Sequence, residues 1–190
     1  MLFRSNPWRI HVSGTEHIDP RRAHVIVSNH QSMADIPLLS HLPVDTKWMA
    51  KAELFRLPVL GWMLRMAGDV PVNRSDRRKG AMALKRCAHY LQEGVSVVCF
   101  PEGTRSRDGQ VLPFMEGPFN LAIREGVAVL PIVVEGSGDA LPRGGWLFGN
   151  GSDIWLRVLA PVPATGWDGA GLRDAVRQRI VDELGRMRKV

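Results

Sequence analysis

The sequence predicts an α/β fold: a single-domain sandwich with a largely parallel central sheet flanked by helices. Three observations carry that expectation. Short runs rich in Val and Ile recur along the chain. Segments with apolar residues at helical spacing lie between them, and acidic caps or glycines mark the junctions. Strands that alternate with helices pair in parallel, because each return to the sheet crosses over through a helix. The 190 residues suit one well-buried domain rather than two, so residues 1–190 are read as a single unit.

Taken in order, the chain reaches its first strand by Trp8, and Val25–Val27 is the next β-rich run. Gln31 or Ser32 can then start a helix with Asp35 in its first turn, where Pro37 is tolerated. Leu54 to Ala67 is densely apolar but carries Arg56 and Arg65. It reads either as a buried helix pair or as a helix lying in a membrane interface with its arginines among the headgroups. Residues 68–74, GDVPVNR, end a short strand with an arginine. Asp76 to Glu93 is a helix with Leu84, Cys87, Ala88 and Leu91 on one face, Ser75 or Asp76 to cap it and Gly94 to end it. Val95–Phe100 is a strand, and Pro118 to Glu125 is a short helix closed by Gly126. In the strand Val127–Val134, Pro131 suggests an edge position or a local break. Ile154–Leu159 is the last strand, followed by a helix from about Asp168 to Lys189 with Leu172, Val176, Ile180, Leu184 and Met187 on one face.

Composition narrows the function classes. A hydrophobic content of 45% is that of a globular chain, and 25 Lys and Arg against 19 Asp and Glu leave a net charge of +6. That excess favours an anionic partner: a nucleic acid, an anionic membrane or a phosphorylated ligand. The nucleic-acid reading lacks a recognisable motif or a basic patch interleaved with aromatics. Cys87 and Cys99 have neither metal-site spacing nor a disulfide framework, so a reducing compartment and no metal are expected. Met1 to Ile10 contains two arginines and no apolar core, so no signal peptide is read there. The longest stretch without Asp, Glu, Lys or Arg is Ala23 to Ala34, short of the ~20 apolar residues a spanning helix needs.

In VIVSNHQSMADIP, residues 25–37, a strand stops at Asn29-His30 and an acid, Asp35, follows. A turn would let Asp35 reach one imidazole nitrogen of His30, fix its tautomer and stabilise the imidazolium, leaving the other nitrogen as a base. The plainer alternative is that Asp35 complements a helix dipole and His30 bonds a backbone carbonyl. A second cluster, FPEGTRS at 100–106, puts an acid, an arginine and two hydroxyls in a tight loop after a buried strand. Its amides and Arg105 are suited to phosphate or hydroxyl groups.

NHQSMAD (29–35) and FPEGTRS (100–106), with looser matches at GDVPVNR (68–74) and LPIVV (130–134), resemble in order and spacing the four motifs of the glycerolipid acyltransferases, typified by lysophosphatidate acyltransferase. The resemblance runs from about Trp8 to Pro163 and includes KAELFRLPVLGWMLRMAG (51–68). Pro71 departs from the usual second motif, and many members begin with a longer hydrophobic region.

The resemblance implies transfer of a fatty acyl group from a thioester to a lysophospholipid hydroxyl. The reading that follows is 1-acylglycerol 3-phosphate as acceptor and phosphatidic acid as product. His30 would be the general base, oriented by Asp35, with no acyl-enzyme; the chain has no G-x-S-x-G nucleophile elbow. Arg74 and Arg105 match the motif arginines that meet the acceptor phosphate, and Lys51 either joins them or is a solvated lysine. Glu102, Gly103 and Thr104 would hold the glycerol part, with Glu102 either accepting from a hydroxyl or capping its loop. No cofactor is expected beyond the co-substrate, an acyl-CoA or acyl carrier protein thioester. The remaining partner is an anionic membrane surface, met peripherally at the cytoplasmic face of the cell membrane. Two alternatives stand beside this. The same chemistry would serve a lyso-ornithine lipid or glycerol 3-phosphate, and a non-catalytic lipid-binding module would keep only the fold.

Overall fold

Val25, Ile26 and Val27 point alternately to the two faces of their strand, and all three are buried, so both faces must be covered. The computed structural model describes residues 8–73, 76–142 and 151–189, and it supplies that cover. In chain order its elements are β1 Arg9–Ser13, β2 Val25–Ser28, α1 Asp35–Leu39, β3 Thr46–Lys51, α2 Leu60–Met66 and β4 Val70–Val72. Then come α3 Arg77–Gln92, β5 Ser96–Cys99, α4 Gly117–Glu125, β6 Val129–Glu135, α5 Ser137–Ala140, β7 Asp153–Val158 and α6 Gly169–Met187.

The strands form one sheet in the order β1-β7-β6-β2-β5-β3-β4. Every neighbouring pair is parallel except β6 and β7, and Val27 lies in register between Cys99 and Pro131. The α/β sandwich with a largely parallel sheet is therefore the observed architecture. On one face α3, α4 and α6 pack Cys87, Leu91, Phe119, Leu121, Leu172, Val176 and Ile180 against Val25, Val27, Val97 and Val133. On the other, Leu38 and Leu39 of α1 and Ala140 of α5 pack with Ile26, Val98, Leu130, Ile132 and Ile154. Each such fully buried aliphatic or aromatic side chain contributes roughly 1.5–3 kcal/mol.

The long helices start and stop where the sequence signals them. Asp76 accepts from the Arg78 and Lys79 amides, Asp168 accepts from the Gly171 amide, and Gly126 closes α4 at φ 66°. Three features differ from the sequence reading. The first helix begins at Asp35 itself, because Ser32 and its neighbours turn to bring their amides onto that side chain. β3, TKWMAK, was not foreseen: its residues are half-exposed and leave no apolar alternation. Pro131 lies in an interior strand, but at a break as expected. The regular β6–β7 ladder starts at Ile132↔Val158; beyond it the Leu159 N–H donates to the Pro131 carbonyl at 2.9 Å, and Pro131 has no N–H to return before the isolated Val129↔Val162 bridge.

The third difference concerns Leu54 to Ala67. It is not a buried helix pair but a 3-10 turn, Ala52–Arg56, followed by α2. Pro58 and a γ-turn at Val59 (φ 61°, ψ −64°), closed by the Leu60 amide on the Pro58 carbonyl at 2.7 Å, separate the two pieces. Gly61 lets α2 sit against the turn, where a Cβ would stand 2.3 Å from the Phe55 carbonyl oxygen. Phe55 is buried, yet Trp62 and Met66 are 64% and 69% exposed. No described helix is long and apolar enough to cross a membrane.

Phe119 is the largest of the fully buried side chains and stacks beside Phe114 at 6.2 Å. Phe119→Ala should therefore lower unfolding free energy by ~3–5 kcal/mol in urea titration. Ile10→Ala, on the exposed edge strand, should change it by no more than about 0.5 kcal/mol.

Candidate active site

Because β2 to β6 run parallel, their carboxyl ends share one edge, where sites in such sheets form. β2 ends there in Ser28, and Asn29 pins the next turn to β6. Its side-chain amide donates to the Val134 carbonyl at 2.8 Å and accepts from the Val134 N–H at 2.9 Å, standing in for one more residue of strand. His30 follows with its ring only 12% exposed. Its Nδ1 lies 2.8 Å from Oδ2 of Asp35, which is wholly buried at the start of α1. The same oxygen accepts from the Gln31 and Ser32 amides at 2.8 and 3.0 Å. Ser32 Oγ accepts from the Ala34 amide and donates to the Leu141 carbonyl, so the turn is held from both sides.

The second loop arrives from β5. Phe100 lies flat against the His30 ring, with centroids 3.8 Å apart and planes at 11°, and it leans on Trp48 of β3. Gly103 takes φ 77°, which only glycine adopts freely, and turns the chain back so that its amide reaches the Phe100 carbonyl. Two main-chain ties join the loops. The His30 N–H donates to Glu102 Oε1 at 2.8 Å, and the Ser106 N–H donates to the His30 carbonyl at 2.8 Å. The other Glu102 oxygen accepts from the Leu112 amide at 2.9 Å. Glu102 is thus turned inward as a cap for two loops. Burial pushes its carboxyl from 4.5 up to about 7, against the pull of its Leu112 and His30 amide bonds and with the help of the Asp35 charge. Further out, Arg177 donates to the Val111 and Leu112 carbonyls. Arg188 bonds Glu135 and the Gly109 carbonyl, and Glu135 in turn accepts from Gln31.

His30 opens onto a groove of about 650 Å³. Gly103, Thr104, Arg105 and Lys51 line it together with Ser40, Thr46 and Asp69, while Met33, Ile36, Trp48, Leu54, Leu60 and Leu64 supply most of its apolar wall. Lys51 is exposed and 3.8 Å from Glu53. Of the residues singled out in the sequence, His30, Lys51, Gly103, Thr104 and Arg105 meet in this groove, Asp35 stands behind His30, and Glu102 faces away. Arg74 lies outside the described residues. Sequence reasoning missed Asn29 and Phe100 as parts of the site, although both stand inside the quoted motifs: an amide just after a strand and an aromatic at a strand end are the signals. Both cysteines are buried, and burial pushes the Cys87 thiol up to about 12, which leaves it unreactive. Among the described residues no cluster of three or more His, Cys, Asp or Glu is placed to hold a metal.

The comparisons with known proteins agree on one family. A family model described as Acyltransferase matches residues 9–135. The chain is 41% identical over 160 residues to the chloroplastic 1-acyl-sn-glycerol-3-phosphate acyltransferase BAT2 of Brassica napus, covering 84% of this chain and 46% of that protein. It is 36% identical over 178 residues to the chloroplastic 1-acyl-sn-glycerol-3-phosphate acyltransferase LPAT1 of Arabidopsis thaliana, covering 93% and 49%. The chain spans about half the length of these curated relatives. The crystal structure of the 1-acyl-sn-glycerophosphate (LPA) acyltransferase PlsC from Thermotoga maritima superposes with a TM-score of 0.83 at 32% identity, covering 94% of this chain and 72% of that one.

The raised Glu102 carboxyl makes a pH prediction with a definite sign. Between pH 4.5 and about 7 the folded protein keeps a proton that the unfolded chain has lost, so this group's contribution is full below 4.5 and disappears as pH rises through about 7. The stability of the protein relative to Glu102→Gln should fall across that window, by about 3 kcal/mol at most. Urea titrations of both proteins at stepped pH check it; a constant difference would contradict the assignment.

Proposed function

Because this chain belongs to the acyltransferase family, we propose that it moves a fatty acyl group from a thioester to the free hydroxyl of 1-acylglycerol 3-phosphate, giving phosphatidic acid. The observation that carries this reading is the His30–Asp35 pair, with His30 lining a groove whose other walls are largely apolar. With Nδ1 held by Asp35, Nε2 of His30 is the nitrogen left for the acceptor hydroxyl. As the hydroxyl oxygen attacks the thioester carbonyl, Nε2 takes its proton, and the imidazolium that forms is stabilised by the buried Asp35 carboxylate. The tetrahedral adduct then collapses, its C–S bond breaks, and the thiolate leaves and recovers the proton from His30. Thiols have a pKa near ~8.5, so the sulfur needs little acid help and no acyl-enzyme is required.

Arg105 and Lys51, which line the groove, would meet the acceptor phosphate, with Arg105 suited to a bidentate contact. Gly103 and Thr104 would border the glycerol part. The donor is acyl-CoA or an acyl carrier protein thioester. The acceptor comes from a bilayer, and we place the protein peripherally on the cytoplasmic face of the cell membrane. The apolar, exposed α2 beside the groove supports such docking, with Trp62 and Met66 immersed at the interface.

His30→Ala should leave the fold intact by circular dichroism and reduce turnover of acyl-CoA with 1-acylglycerol 3-phosphate by ~10²–10⁴-fold or more. Near-normal turnover by this variant would sink the mechanism. For docking, Trp62→Ser should weaken co-sedimentation with phosphatidylcholine vesicles by roughly 1.5–3 kcal/mol, a part that added salt does not abolish. Equal binding by the two proteins would show that α2 stays out of the bilayer.

A further inference from the structure

Beside α2 lies a second cavity, of about 470 Å³, whose lining includes none of the residues given a part in the proposed reaction. Arg56, Arg65 and Arg86 line it, one each from the 3-10 turn, α2 and α3, and the one carboxylate among its lining residues is Asp69. Asp69 is buried and already accepts from the Trp48 amide at 2.9 Å. Arg86 is steadied by the Tyr90 hydroxyl at 3.2 Å and by that residue's ring face. None of the three arginines makes an ion pair with a described carboxylate, although many other arginines of the chain do.

Three guanidinium groups around one concavity repel each other, and Asp69, which interacts with the Arg86 charge, is the single counter-charge among the lining residues, so room for a further anion remains. Phosphate fits: its oxygens accept paired N–H donors, and Arg presents them in that geometry. The position of the cavity says where such a phosphate would come from. Trp62, Arg65 and Met66 are spaced i, i+3 and i+4 along α2, so they form one continuous face with the exposed aromatic and thioether beside the cavity's arginine. A helix lying in a leaflet keeps its apolar side chains among the acyl chains and its arginines at headgroup level. Asp69 also lines the His30 groove, so the arginine cavity and the groove abut.

We propose that the cavity lined by Arg56, Arg65 and Arg86 is a binding site for the headgroup phosphate of an anionic bilayer lipid, separate from the acceptor's own site. This rests on the docking of α2 described above. A lipid held there anchors the protein with the groove mouth at the leaflet, so that the acceptor enters without leaving the bilayer.

The test is sedimentation without substrates, using vesicles of phosphatidylcholine alone and vesicles with phosphatidylglycerol in equal parts. The wild-type protein should prefer the anionic vesicles. The triple variant Arg56→Gln, Arg65→Gln, Arg86→Gln should lose about 100-fold of its affinity for them and keep its binding to phosphatidylcholine. A charge-matched control, Arg21→Gln, Arg22→Gln, Arg179→Gln, alters exposed residues that do not line the cavity, and it should retain the preference. An equal loss in both triple variants would reduce the effect to net charge and overturn the proposal. So would an unchanged preference in the cavity variant, or calorimetric binding of CoA that the cavity variant alone loses while its vesicle preference stays. Failure of the wild-type protein to bind either vesicle would remove the docking reading together with this one, whereas the turnover assay with His30→Ala stands apart from both. Turnover of a water-soluble short-chain acceptor should match the wild type in the cavity variant, while KM for vesicle-borne acceptor rises.

Discussion

One carboxylate oxygen organises the catalytic end of this protein. Oδ2 of Asp35 collects three donors, from the His30 ring and the Gln31 and Ser32 amides, in a spot with no water access. A buried carboxylate is costly unless it is hydrogen-bonded, and the turn after β2 gives Oδ2 three partners from the groups that fix its own shape, while the buried Oδ1 has none. The consequence runs both ways. The acid holds the loop, the loop holds the acid, and the imidazole tautomer follows because Nδ1 faces an acceptor. Phe100 then fixes the plane of the ring. His30 has little freedom to lose when a substrate arrives.

Two buried carboxyl groups that both bond His30 have separate duties. Asp35 is served by the histidine and two local amides, while Glu102 bridges amides from β2's turn and from residue 112. The first holds the ring and its own turn in place. The second is pushed towards its neutral form by burial and ties together loops that are far apart in sequence. The arginines at 177 and 188 extend that tie to α6, so the polar wall of the groove is backed by a helix that never touches it.

Much of this was legible in the sequence, for identifiable reasons. Parallel strands covered on both faces read as short aliphatic runs, and Asp76, Asp168 and Gly126 are end signals that need only local geometry. The spacing of His30 and Asp35 was legible because a helix start brings them together within one turn. The rest depended on tertiary context. β3 is half-exposed and carries no periodic signature. Glu102 could face a substrate or its own loop, and only the presence of the Leu112 amide on one side and the His30 amide on the other decides between them. Leu54 to Ala67 looks like core by composition. Its break at Pro58–Val59 and its outward Trp62 emerge only once the groove has taken Leu60 and Leu64.

The ties across the site also bear on how the protein comes to be active. Asn29 bonds Val134 across 105 positions, and His30 bonds Glu102 across 72. Contacts of such long range form late, because a long loop must close before they give anything in return. A chain emerging from the ribosome can therefore make its first strands and helices while His30 still lacks its stitched neighbour loop. The two loops that frame His30 are therefore joined only once the sheet has closed across those intervals.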